Sequence, residues 1–535
     1  MLSALLLSLL GVAPVLGLDA ATNHRLLKTG RPQVALWQAL RAQEKANSLY
    51  DGSDDQVAFS APSHEAHCFD QSISHFGEVN GTFCQRYWMD DRYYKPGGPV
   101  FLLDGGETDG ADRLPFLETG ILQILSNATG GLSIVLEHRY YGGSVPVESF
   151  STDDLRFLNN ADSLEDSANF IRNFKPPKHL GVYTEALKPK NTPWIYYGGS
   201  YAGARAAFMR KEYPDLVWGA IASSAVTHAQ INMAEYFDPI QKYADQTCIA
   251  TLQGAIRAID ALLELPHPVP TLLKGLFGVA GLENDDFGGV LQYPLGYWQA
   301  RNWDPAVSSN GWEEFCDALT RGGKGGRIGL LKITPAIMNY AKYIREHVVA
   351  QCPTDAVDCF GNHNDTKFLV DDLDQTWRLW LFQVCTQWGY FMPAPKEGPS
   401  ILSKHVTLEY ASNICKQAYP PGKYFAVPNW PNITDVNARG DYELEAERLA
   451  YIDGEADPWR TMTPQADIAP KRKSSVDKPL HLIEDGVHHW DENGLEHHDL
   501  EPPKIRDVHE FEVLFVQEWL AQFRESKGVW NVGKE

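Results

Sequence analysis

Residues Trp194–Pro214 read WIYYGGSYAGARAAFMRKEYP. Four bulky residues suit a buried strand, two glycines interrupt it, and a stretch that reads as a helix follows. Ser200 stands at the bend. Two readings compete: a nucleophile held on a sharp strand-to-helix turn, or an ordinary glycine-rich turn that happens to contain a serine. A nucleophile elbow requires small residues two places before and after its serine, because larger side chains would strike the neighbouring strand and helix. Gly198 and Ala202 meet that requirement, and Gly203 follows. The strict G-x-S-x-G pattern is broken at its last position, but alanine is still small.

The flanking sequence supplies the setting an elbow needs. PVFLLDGGE (Pro99–Glu107) reads as a buried strand running into glycines, and LSIVLEHRYYGGSVP (Leu132–Pro146) as a second strand and a turn. SLEDSANFIRNF (Ser163–Phe174) has the spacing of an amphipathic helix, and VWGAIASSAV (Val217–Val226) is another buried strand. Strands alternating with helices in this way predict an α/β fold with a mostly parallel sheet covered on both faces. From about 235 to 435 the alternation stops, and this Trp-rich segment holds six of the eight cysteines. It resumes at ERLAYIDGEADPW (Glu447–Trp459) and KPLHLIEDGVHH (Lys478–His489), and HEFEVLFVQEWLAQFRESK (His509–Lys527) reads as a closing helix. The expected organisation is a core from 66 to 234, a mainly helical cap inserted over 235–435, and the rest of the core over 436–535. Cys68 and Cys84 flank an expected hairpin that ends in a strand over Thr82–Trp88.

An elbow serine takes its partners in chain order, acid then histidine, each on a loop after a later strand. Asp453 and Asp457 follow one such strand; His488 and His489 follow the next. The rival for the histidines is a metal cluster of His488, His489, Asp491, His497, His498 and Asp499. Its spacing matches no helical His-x-x-x-His pattern, and adjacent histidines seldom share one ion. No metal and no cofactor are expected.

Composition narrows the function further. The 535 residues carry a net charge of −22. That excess of acid argues against nucleic acid and anionic membrane surfaces, which require clustered Lys and Arg. MLSALLLSLLGVAPVLGLDA at the start reads as a secretory signal with cleavage after Gly17, and residues 18–65 as an irregular extension with a helical stretch near Pro32–Ala46. No later run of about 18 apolar residues would anchor the chain in a membrane. Export agrees with an even cysteine count lacking any CxxC pair, and with sequons at Asn80, Asn127, Asn364 and Asn432.

GGSYAG, LEHRYYGGSVP, GEADPW and GVHHWD, in that order, resemble the S28 family of serine peptidases, which includes prolyl carboxypeptidase, dipeptidyl peptidase II and fungal acid prolyl endoproteases. The likeness spans roughly residues 65–525. It implies an α/β-hydrolase core with a helical cap, Ser200 as nucleophile, Asp457 rather than Asp453 as the acid, and His488 as the base. The oxyanion hole would take the backbone N–H of Tyr201 and that of Gly105 or Gly106. Family members cleave next to proline, whose ring needs an aromatic slot. Trp459 is a candidate wall, the cap segment Trp380–Phe391 could supply others, and Glu107 is a further candidate substrate contact. Glu137–Tyr141 is expected to brace the loop below the site.

The resemblance also implies the pairs Cys68–Cys84, Cys248–Cys316, Cys352–Cys359 and Cys385–Cys415. Three departures stand out: Ala202 in place of a glycine, Gln387 where the family often carries a carboxylate, and an acidic Asp485 in the histidine loop, expected to raise the pKa of His488. The activity so implied is a secreted serine peptidase acting on proline-containing peptides or proteins at acidic pH, in carboxypeptidase or endopeptidase mode. It would be a monomer or homodimer, extracellular or in an acidic vacuolar or lysosome-like compartment. An esterase or lipase on the same scaffold is the alternative, and a catalytically silent binding protein the third reading.

Overall fold

A computed structural model describes residues 64–322, 330–352 and 354–528. The expected signal segment, and the extension as far as residue 63 with its helical stretch, lie outside the described residues. An eight-stranded sheet runs through the core in the order β1 (His67–Ser72), β2 (Thr82–Asp90), β4 (Leu132–Leu136), β3 (Val100–Asp104), β5 (Trp194–Gly199), β6 (Gly219–Ser223), β9 (Leu449–Gly454), β10 (Leu480–Ile483). β2 pairs antiparallel with β1 and β4, and every later pairing is parallel. This is the α/β-hydrolase arrangement. The central strands β3, β4, β5, β6 and β9 are buried at every residue, which is why they read as unbroken apolar runs rather than alternating ones.

Helices cover the sheet: α1 (Ile121–Thr129), α2 (Asn160–Asn173), α3 (Tyr201–Glu212) and the closing α9 (Pro503–Ser526). α3 is buried from Tyr201 to Arg210, so its many alanines are what let a helix sit this close to the strands. α9 starts six residues before the expected His509; Pro503 occupies its first turn, where proline loses no hydrogen bond. The strand expected over Val217–Val226 is shorter, because Ser224 turns to a positive φ of 44°.

Between β6 and β9 lies the helical cap. Its α4 (Gln246–Leu263), α5 (Gly311–Thr320) and α6 (Leu330–His347) pack on one another, and the Cys248–Cys316 disulfide joins the first two. α7 (Trp377–Gln383) continues into a π-helical turn over Val384–Trp388, tied by Cys385–Cys415 to α8 (Leu408–Ala418). Cys68–Cys84 and Cys352–Cys359 are also formed, so all four implied pairs are present. Cap and core are joined by a small parallel ladder in which β7 (Gln230–Asn232) pairs with β8 (Gly389–Phe391). Among the described residues no helix is long and apolar enough to cross a membrane.

Candidate active site

Ser200 has φ 59° and ψ −122°. A non-glycine residue held there is strained, and such strain is kept where the surroundings impose it. Here both sides of the turn impose it. A Cβ on Gly198 would lie 2.1 Å from the Ala202 carbonyl oxygen, and one on Gly203 would lie 2.6 Å from the Ser223 carbonyl oxygen. The Ser200 N–H donates to that same Ser223 oxygen at 2.8 Å. The strand–serine–helix reading therefore holds in detail, with the serine partly exposed at the carboxyl end of β5.

The turns after β9 and β10 bring the other two expected residues to the same, carboxyl, end of the parallel strands. His488 Nδ1 lies 2.7 Å from Asp457 Oδ2, and both side chains are buried. Asp457 Oδ1 accepts from the Trp459 N–H at 2.9 Å, which fixes the carboxylate. With Nδ1–H given to Asp457, Nε2 keeps its lone pair, the form a general base needs. The histidine loop is fastened beside the elbow: the His489 N–H donates to Ser224 Oγ at 2.9 Å, next to the residue that holds the Ser200 N–H. Asp453 is placed apart from His488, as acceptor for Gln465 Nε2 (2.7 Å) and the Thr463 hydroxyl (3.3 Å).

Burial pulls the His488 imidazole below its ordinary value; Asp457 opposes this and the neighbouring His489 adds to it. The expectation that Asp485 raises that pKa is corrected. Asp485 is exposed and turned toward Lys504, 3.7 Å away. His489 is paired with Glu492 at 2.8 Å, and Asp491 accepts from Tyr197 and Ser223, each at 2.5 Å. His498 bonds Glu501 at 2.9 Å. These residues, weighed as metal ligands, are engaged in separate hydrogen bonds.

The oxyanion assignment is corrected in part. The Gly105 N–H donates to the Leu136 carbonyl (2.8 Å) and the Gly106 N–H to Asp104 Oδ1 (2.9 Å). Both are committed within the fold, so neither is available as the second donor. Their role is steric: Gly106 has a positive φ of 64°, and a Cβ there would meet the Ala202 Cβ at 3.2 Å. Asp104 also accepts from Arg205 Nε (2.7 Å) and the Tyr196 hydroxyl (2.5 Å), fastening this turn to α3. The Tyr201 N–H lies in the first turn of α3, where backbone donors have no intrahelical acceptor.

The Glu137–Tyr141 stretch braces as expected. Glu137 is bound by Arg86 Nε (2.8 Å), the Gly110 N–H (2.8 Å) and the Ser144 hydroxyl (2.5 Å), and Arg139 grips Asp166 at 2.5 and 2.6 Å. Trp459 is buried, its Nε1 donating to Gln299 Oε1 at 2.8 Å, with Tyr236 and Tyr390 of the cap edge-on at 5.5 and 5.2 Å. Its ring centroid lies 6.3 Å from that of His488. Glu107 is buried beside the elbow turn. Gln387 spans the cap–core junction, accepting from the Asn160 N–H (3.0 Å) and donating to Asp435 (2.9 Å). Sequence reasoning missed Gln383, whose amide reaches the Tyr201 hydroxyl at 2.8 Å.

Comparison with known proteins adds an independent line. The profile of the family described as serine carboxypeptidase S28 matches residues 71–511. A probable extracellular serine carboxypeptidase of Arthroderma benhamiae is 36% identical over 518 residues, covering 90% of this chain and 71% of its own. The serine protease vicPa of Bipolaris victoriae is 27% identical, covering 79% of this chain and 82% of its own. The thymus-specific serine protease of Homo sapiens is 26% identical, covering 71% and 74%.

Proposed function

This chain belongs to the serine carboxypeptidase S28 family, and from that premise we propose that it hydrolyses peptide bonds next to proline through Ser200, His488 and Asp457. Ser200 Oγ attacks the scissile carbonyl carbon while His488 Nε2 takes its proton. Asp457 holds the imidazole in the required tautomer and faces the imidazolium that forms. The Tyr201 N–H donates to the oxyanion. Collapse expels the amine, protonated by His488, and leaves an acyl ester on Ser200. Water, deprotonated by the same nitrogen, then releases the acid.

The observation that carries this reading is the buried His488–Asp457 pair at the carboxyl ends of parallel strands, the same end of the sheet as a serine held at φ 59°. Trp459, packed with Tyr236 and Tyr390 near the His488 ring, supports an aromatic slot for the proline ring. The name of the Arthroderma relative supports action at a free C-terminus outside the cell, rather than in a vacuole. Four disulfides agree with an oxidising compartment.

The test uses one proline-containing peptide in three forms: both ends free, N-terminus blocked, C-terminus blocked. Mass spectrometry at acidic and neutral pH locates the cut. Cleavage beside proline that fails only when the C-terminus is blocked is the expected result. Ser200→Ala that retains turnover overturns the assignment. Absence of any cut while Ser200 still reacts with a fluorophosphonate overturns the proline specificity.

A further inference from the structure

The residue after the nucleophile is held by a chain of hydrogen bonds whose direction follows from its ends. Burial pulls His138 down to about 3, so its ring is neutral and carries one proton. Its Nδ1 lies 2.8 Å from the Arg139 carbonyl, an acceptor only, so that nitrogen bears the hydrogen. His138 Nε2 is therefore an acceptor, and the Tyr201 hydroxyl, 3.0 Å away, donates to it. The Tyr201 oxygen accepts in turn from Gln383 Nε2 at 2.8 Å, and the Ser163 side chain also hydrogen-bonds it. The Gln383 Oε1 accepts in turn from the Tyr141 hydroxyl at 2.6 Å. The run is Tyr141 to Gln383 to Tyr201 to His138 to the Arg139 carbonyl, with every donor and acceptor role assigned.

Gln383 is the one cap residue in this run. It closes α7, just before the π-helical turn, and is completely buried. Trp380 and Trp388 flank it and meet the Tyr201 ring edge-on, each at 5.2 Å. The cap therefore grips the phenol end of the residue whose backbone N–H is assigned above to the oxyanion.

We propose that Gln383 is a positioning residue that couples cap seating to the oxyanion hole by holding Tyr201, an inference that rests on the peptidase reading above. The amide is required because the position must both accept and donate. A carboxylate accepts only. It would remove the hydrogen bond that Gln383 donates to the Tyr201 oxygen, leaving Ser163 there alone, and compete with His138 for the Tyr201 proton. A protonated carboxyl restores both functions in nearly the same shape.

That asymmetry supplies the test. Gln383→Glu, Gln383→Leu and wild type are compared on a proline-containing peptide from pH 4 to 8, with Tm recorded at each pH. The expected Gln383→Leu result is a kcat lower by roughly tenfold to a hundredfold at every pH with KM little changed, the scale of a displaced catalytic group. For Gln383→Glu, the ratio of its kcat to wild type is expected to be low at pH 8 and to climb toward one at pH 4. A purely structural role would shift Tm without that pH-dependent ratio. A ratio that stays flat for Gln383→Glu, or wild-type kcat in both variants, overturns the proposal. Should Gln383→Leu fail to fold, Gln383→Glu at acid pH carries the test alone. Ser200→Ala runs in parallel: if it is active, the peptidase reading fails; if it is inactive while the Gln383→Glu ratio is flat, only the positioning role fails.

Discussion

A Cβ built on Gly198 would come within 2.1 Å of the carbonyl oxygen of Ala202, closer than carbon and oxygen can approach without the backbone moving. Gly198, two residues before Ser200, is thus a steric requirement of the α3 entry. Gly198→Ala should destabilise the protein by about 3 kcal/mol, at the upper end of overpacking costs, and lower kcat by displacing Ser200. Tm and fluorophosphonate labelling rates check both effects. Wild-type values for both would refute the steric account.

Asp457 and Asp453 separate cleanly by their partners. Asp457→Asn should lower kcat by about 10⁴-fold, since the amide reverses the tautomer required of His488. Asp453→Asn keeps an acceptor for Gln465 and should leave kcat within a few-fold of wild type. Equal losses from the two substitutions would remove Asp457 from its assigned role.

The pH dependence of kcat/KM follows from burial of His488. The base must be neutral to act, and burial lowers its pKa below the ordinary 6.5. Activity is therefore expected to persist below pH 6.5 and to fall as pH drops through the lowered value. His489 contributes to that lowering, so His489→Gln should move the acid limb upward. A limb at or above 6.5 in the wild type would contradict the buried setting.

Glu512 gives a stability prediction of opposite sign to the usual carboxylate. It is fully buried on α9, neither carboxyl oxygen has a hydrogen-bond partner among the described residues, and it faces Asp491, Glu492 and Tyr197. Burial, then the charges of Asp491 and Glu492, push its pKa well above the ordinary value, and burial pushes Asp491 up to about 6. The folded state binds these protons more tightly than the unfolded chain. Their stabilisation is complete below the ordinary carboxyl range and is lost as pH rises through the raised values. Glu512→Gln should match the wild-type Tm at pH 4 and exceed it at pH 8. A constant Tm difference between the two pH values would rule out a protonated Glu512.

All four sequon asparagines, Asn80, Asn127, Asn364 and Asn432, are exposed. Enzymatic deglycosylation of protein from a eukaryotic secretory host should convert each to aspartate, read by peptide mass. Sites left as asparagine would be unoccupied.

Much of the core was legible because its signals are local or ordered. Buried parallel strands read as apolar runs, the elbow needs small residues at fixed offsets, and Ser200, Asp457 and His488 appear in an order set by topology. The failures share a different cause. Gly105 and Gly106 were plausible oxyanion donors by position, but the direction of an N–H depends on Leu136 and Asp104, which the local motif does not encode. Asp485 lies three residues from His488 in the chain yet points to Lys504, so sequence proximity misjudged the electrostatics. Gln383 went unseen because its partner Tyr201 is 182 residues away, across the cap–core boundary.

The order of the strands has a consequence for synthesis. The sheet is interrupted after β6 and resumes only at Leu449, with the cap in between. A growing chain therefore carries Ser200 more than two hundred residues before Asp457 and His488 are made. Under the assignment proposed above, the site is complete only once the final fifth of the chain has been made, so a truncated translation product would carry Ser200 with nothing to activate it.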